Sequence, residues 1–211
     1  MTILIGLLVA RPAEASEGVC APGALVKVVT RLDVPGVPAT HFTRVPKTLF
    51  RYGSQYARVE EAHNPVTGLH LLVVVNEPHI WITNLATRTG RYVRDPGPTY
   101  DFRARIFGDA AAKSPLIRRL EFGCEVSWFK DSGAVRRSMR HPTLGEVRAL
   151  EYSEGAEKVI LYERADRPLR LELIEQGTPT FAVDYLEYVP GLTLERRLFE
   201  KPPGIAFDRE N

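Results

Sequence analysis

Three short segments rich in Leu, Ile, Val, Phe and Tyr follow one another late in the chain: Lys158–Glu163, Arg167–Glu175 and Thr180–Val189. Only Arg164-Ala165-Asp166 and Gln176-Gly177-Thr178-Pro179 separate them, and short apolar runs with tight polar gaps are the pattern of an antiparallel meander. Within Leu169-Arg170-Leu171-Glu172-Leu173 the alternation is clean, so one face of the predicted sheet is dry and the other wet. A large one-sided sheet must set something against its apolar face. The candidates are a helix, a second sheet or a ligand, and the choice among them is the functional question.

A chain of 211 residues fits one domain, since all-β barrels and sandwiches reach this size undivided. Its 28 basic and 26 acidic residues are interleaved, so the charge pattern gives no case for nucleic acid as a partner. The apolar fraction of 44% suits an ordinary globular core. At the N-terminus, apolar Ile3–Ala10 is followed by Ala13-Glu14-Ala15, small residues at the positions a signal peptidase reads, although only Met1 and Thr2 precede the run where positive charge is usual. The expectation is a signal peptide over residues 1–15 and a single exported, soluble domain over 16–211. Ile3–Ala10 is too short to span a bilayer, so an integral membrane protein is not expected. In an exported chain the only two cysteines, Cys20 and Cys124, suggest a disulfide; the alternative is a buried Cys124 and a free Cys20 thiol.

Ala24–Val34 supports two readings. Leu25, Val28, Val29 and Leu32 recur at helical spacing, whereas Val26, Val28, Thr30, Leu32 and Val34 alternate as in a strand. The helix is the preferred reading, against the β-branched run Val28-Val29-Thr30. Strands are then expected at His41–Val45, Thr48–Tyr52, Tyr56–Ala62, Leu69–Val75, His79–Asn84 and Arg91–Arg94, with Asp95-Pro96-Gly97-Pro98 ending the run. A central helix is expected from Ser114 to Asp131. Ser114 suits the N-cap, Pro115 the first helical position, and Leu116, Ile117, Leu120, Cys124 and Trp128 follow mostly at steps of three and four. Alternation of Phe122, Cys124, Val126 and Trp128 is the rival strand reading, and Gly123 inside a helix costs about 1 kcal/mol relative to Ala. Ala134–Met139, Glu146–Tyr152 and the three late strands complete the sheet, and Leu194–Phe199 reads as a last short helix. The fold class is therefore mainly β: a curved antiparallel sheet, or incomplete barrel, of about ten strands with a central helix over its open side.

No catalytic or metal signature is present. His41, His63, His70, His79 and His141 form no paired ligand motif, so no metal is expected. Ser54 lacks the flanking glycines of a nucleophile elbow. Glu60-Glu61 are neighbours on a strand and point to opposite faces, where they cannot share a reacting bond. No phosphate-cradling loop precedes a helix, so neither a cofactor nor an enzyme is expected. The aromatics Phe50, Tyr52, Tyr56, Trp81, Tyr92, Tyr100, Phe102, Phe107, Phe122, Trp128, Phe129, Phe181, Tyr185 and Tyr188 either fill a core or line a cavity beneath a bent sheet.

Several short motifs, taken in order, are similar to the periplasmic lipoprotein-carrier superfamily of LolA/LolB-like proteins and their sensor relatives. They are Tyr56-Ala57-Arg58-Val59-Glu60, Asn76-Glu77-Pro78-His79-Ile80-Trp81, Pro168-Leu169-Arg170-Leu171-Glu172-Leu173, Tyr185-Leu186-Glu187-Tyr188 and Leu198-Phe199-Glu200-Lys201-Pro202-Pro203-Gly204-Ile205. The resemblance spans roughly Ala24 to Phe207. It implies an unclosed antiparallel barrel, helices plugging its mouth, a periplasmic location, and an apolar cavity that shields a lipid or lipoprotein acyl chain during outer membrane lipoprotein sorting. Each buried methylene would contribute about 0.8 kcal/mol to such binding. The implied cavity lining is Tyr56, Arg58, Leu71, Val73, Trp81, Leu116, Leu120, Trp128, Leu171 and Tyr185, with Arg58 as the arginine that holds the closed state. The 95–114 insertion and the cysteine pair depart from the family pattern. The alternative function is a structural or sensor module of the same fold, with a full interior and a protein partner, membrane-bound in one version.

Overall fold

The computed structural model describes residues 21–38, 40–41, 44–94 and 114–209. The expected signal peptide, Cys20, Tyr100, Phe102 and Phe107 lie outside these residues.

Twelve strands form one sheet: β1 (Leu25–Asp33), β2 (Lys47–Tyr52), β3 (Tyr56–Glu61), β4 (Leu71–Asn76), β5 (His79–Asn84), β6 (Thr89–Arg94), β7 (Val135–His141), β8 (Gly145–Glu154), β9 (Glu157–Arg164), β10 (Arg167–Glu175), β11 (Thr178–Leu192) and β12 (Ala206–Arg209). Their spatial order is β12-β6-β5-β4-β3-β2-β1-β11-β10-β9-β8-β7. The sheet is curved and unclosed, and among the described residues β12 and β7 are its edges. Neighbours pair antiparallel, except β12, which lies parallel to β6. The parallel pairing needs a bare backbone at Gly90, because a Cβ there would stand 2.7 Å from the Ile82 carbonyl oxygen and 2.9 Å from the Phe207 ring.

Several expectations are corrected. Ala24–Val34 is a strand, not a helix: β-branched Val26, Val28, Val29 and Thr30 favour the extended chain, and β1 finds hydrogen-bonding partners on both sides, β2 and β11. The described residues form twelve strands rather than about ten. The segment from Ser114 to Asp131 is not one helix but a 3-10 turn (Ile117–Arg119), an extended break at Leu120, and a short helix α1 (Glu125–Asp131). Gly123 explains the break, since its φ of +84° is a left-handed conformation that an α-helix cannot contain. The last helix is a single 3-10 turn, Arg196–Phe199. His41–Val45 contributes no strand at its described residues, His41, Arg44 and Val45.

Both sheet faces bury apolar side chains, so the simple dry-and-wet division fails. The inner face carries the main core, built from Val26 and Val28 of β1, Leu49, Val59, Val73, Val75 and Ile80, then Leu150, Leu161, Leu171, Leu173 and Val183 across the other half. The outer face carries two smaller clusters. One packs Leu72, Val74 and Trp81 against Phe199 of the last 3-10 turn, and the other gathers Val147, Ala149, Ile160 and Tyr162.

Candidate functional site

Residues 114–133 cover the inner face as a plug. Ser114 starts it: the Ile117 N–H donates to Ser114 Oγ at 3.2 Å, and Ser114 Oγ donates to Glu157 Oε2 at 2.7 Å. Arg119 grips Glu154 through two bonds of 2.6 and 3.0 Å, a bidentate pair that ties the turn to the β8–β9 hairpin. Leu116, Ile117, Leu120, Phe122 and Phe129 are all buried in the main core. Trp128 stands edge-on to Phe129 and Tyr152, with ring centroids 5.0 and 5.2 Å away.

Under this apolar seal lies a polar knot. Arg51 of β2 is fully buried. Its guanidinium donates to the Phe122 carbonyl at 3.2 Å and to the Gly53 carbonyl at 3.2 Å, and pairs with Glu121 at 2.7 Å. Burial lowers its pKa from the usual arginine value, opposed by the charges of Glu121 and Glu125. Glu125, in the first turn of α1, is equally buried. Tyr185 Oη donates to Glu125 Oε1 at 3.0 Å, and the Gly123 N–H donates to Oε2 at 2.8 Å. Burial pushes the Glu125 carboxyl up to about 7, only partly offset by these hydrogen bonds and by Arg51. Burial also raises Tyr185, with the Glu125 charge adding to the effect. Tyr188 Oη donates to the Gly123 carbonyl at 3.4 Å, so polar side chains of the sheet hold the bend at Phe122-Gly123.

Seven of the ten expected lining residues meet on the inner face: Leu71, Val73, Leu116, Leu120, Trp128, Leu171 and Tyr185. The other three do not join them. Tyr56 and Trp81 belong to the outer cluster with Phe199, and Arg58 hydrogen-bonds Glu60 at 2.8 Å and the Leu198 carbonyl at 3.4 Å. Strand parity is the reason: Ala57, Val59 and Ile80 face inward, so their neighbours Tyr56, Arg58 and Trp81 must face outward. The arginine that grips the plug is Arg51, two positions from inward-facing Leu49, and the same parity places it inside. Cys124 stands at the N-cap of α1 and is not a free thiol; its expected partner Cys20 lies outside the described residues.

Plug and sheet are packed together along this interface. Among the hollows that described residues line are one of about 530 Å³ beside the β8–β9 and β10–β11 turns at Glu157 and Gln176, one of about 460 Å³ near Arg148 and Glu163, and one of about 430 Å³ on the outer face between Arg58, Leu85 and Lys201. Glu60 pairs with Arg58 and His70 while Glu61 pairs with Lys47, on opposite faces as their adjacency requires. Among the described residues, no three His, Cys, Asp or Glu side chains gather as a metal site. No helix among them is long and apolar enough to cross a membrane.

Scans against protein-family models and against curated proteins find no match. Solved structures do align. An uncharacterized conserved protein from Thermus thermophilus superposes at a TM-score of 0.50 with 14% identity, over 89% of this chain and 91% of that one. That likeness concerns the fold alone. A LolA superfamily protein from Nitrosomonas europaea aligns at 0.36 with 12% identity, over 86% of this chain and 91% of its own. A structure of PNGF-II aligns at 0.35 with 9% identity, over 89% of this chain but 31% of that one. Neither of the last two scores carries a functional argument.

Proposed function

We propose that the protein is a non-enzymatic binding protein of the periplasm, in which residues 114–133 occupy the place that the apolar part of a lipid or lipoprotein acyl chain takes when bound. The observation that supports this reading is the composition of the plug's seat. Burying the Arg51 guanidinium and the Glu125 carboxyl costs desolvation that their bonds to Glu121, Tyr185 and the backbone around Gly123 only partly offset, so this seat holds its cover less firmly than a well-packed apolar one would. A cover that must yield is served by such a seat. Its apolar half resembles the ligand it makes way for, and its polar half lowers the free energy of release.

The close apolar packing of residues 114–133 on the inner face, among the described residues, supports a second reading, that of a structural or sensor module of the same fold whose partner is a protein. Native mass spectrometry after mild purification separates the two. The carrier reading expects a co-purifying lipid mass, or uptake of an apolar dye that a fatty acid displaces. A protein with neither property counts against the carrier reading.

A further inference from the structure

We propose that the β7 edge of the sheet is a docking strand for an acidic, extended segment of another protein. This inference is independent of whether the inner face carries a lipid. β7 pairs with β8 along its whole length, from Val135 opposite Glu151 to His141 opposite Gly145, and it ends the sheet. Among the described residues nothing pairs with its other side, a backbone edge seven residues long, about 23 Å at 3.3 Å per residue. Among the described residues, no β7 side chain forms a hydrogen bond or ion pair beyond β8 and the turn that joins them. The opposite edge, β12, offers only four residues.

The side chains define what fits. Arg136, Ser138 and Arg140 point to one face and Val135, Arg137 and Met139 to the other, since their β8 partners Leu150 and Ala149 lie in the inner and outer clusters. Val135 and Met139 are 54% and 37% exposed, which leaves apolar contact area on the outer side. The arginines are only loosely engaged: Arg137 stands 3.8 Å from Glu151, and Arg140, 85% exposed, stands 3.9 Å from Glu146. Arginines on an edge strand also protect against self-association. An antiparallel copy centred on Ser138 would set Arg136 opposite Arg140 twice, and like charges directly opposite one another are destabilising. The edge therefore repels itself and selects a strand that bears acids opposite Arg136 and Arg140 and apolar residues opposite Val135 and Met139. Backbone pairing supplies the affinity and these side chains supply the choice.

The test uses the full chain and a ten-residue peptide alternating glutamate with valine, against the same peptide with lysine for glutamate. The expected result is binding of the glutamate peptide alone, at least tenfold weaker on raising salt from about 50 to about 500 mM, with slower hydrogen exchange at the outward amides of Val135–Met139. An R136E/R140E double variant, at exposed positions, keeps its circular dichroism and loses at least tenfold in affinity. Failure of the glutamate peptide to bind, or binding that leaves β7 exchange unchanged, overturns the proposal. So does a concentration-dependent dimer of the chain alone that protects β7.

Discussion

Two arginines, Arg170 and Arg51, each sit in a polar knot on one face of the same sheet, and the knots are built differently. On the outer face Arg170 bonds Asp33 at 3.0 Å, Asp184 at 2.6 Å and Glu172 at 2.8 Å, while Arg44 and Arg31 complete Asp33 and Asp184. Three strands, β1, β11 and β10, are stitched by charge at the sheet's centre. Burial lowers the Arg170 pKa, but the carboxylates outweigh it and the net shift is upward. On the inner face Arg51 meets two backbone carbonyls and one carboxylate, burial dominates, and its shift is downward. The outer knot stabilises charge and locks strands. The inner knot works against its own burial and holds a segment attached to the sheet by side chains rather than by strand pairing.

The largest effect should come from the outer knot. Arg170→Ala leaves Asp33, Asp184 and Glu172 without their shared cation and is expected to destabilise the fold by about 4 kcal/mol. Urea unfolding measures it; a loss below about 1 kcal/mol would remove the distinction between the knots. Next comes pH. Glu125 ionises near 7 in the folded state against 4.5 unfolded, so the folded form binds the proton more tightly. Its contribution is greatest below pH 4.5, falls as pH rises to about 7, and is constant above, a span of roughly 3 kcal/mol. Glu125→Gln removes the titration; its amide oxygen can accept from the Gly123 N–H while its NH2 must donate to Tyr185 Oη, and the wild type should lose roughly 3 kcal/mol relative to the variant as pH rises across that window. A flat gap excludes a buried, protonated Glu125. Arg51→Leu should have a smaller effect, about 2 kcal/mol, since lost hydrogen bonds are partly offset by relief of a buried charge. Hydrogen exchange should place that loss in residues 114–133, while β1, β10 and β11 keep their protection. The smallest effect belongs to Arg137→Ala at the exposed edge, within about 0.5 kcal/mol by thermal melting.

Much of this architecture is legible in the sequence where alternation is clean. His79–Asn84 and Arg167–Glu175 coincide with β5 and β10, because each is a short apolar-rich segment bounded by turn residues. Leu169 shows the limit. A register shift between Pro168 and Arg170 places it in the outer cluster although its alternation partners Leu171 and Leu173 face inward. The plug departs from its expected helix for another reason: its apolar spacing suits a helix, yet Gly123 and the demand of Arg51 for the Phe122 carbonyl impose a bend. Arg51 itself carries a signal, since it shares parity with Leu49, but a charged residue on an inward position looks like an exception until its partners are visible. Nothing local marks Glu125 as buried, because its shell comes from Tyr185, 60 residues away.

The strand order has a consequence for how the chain is made. β1, the first strand, lies in the middle of the sheet and pairs with β11, so that Lys27 bonds Glu187 across 160 residues. As the chain folds β2 to β6 can zip up from neighbouring hairpins, but the seam between the two halves stays open until residues 178–192 join it. Until then one flank of β1 is an unpaired backbone edge beside apolar side chains, a site where the incomplete fold can mispair.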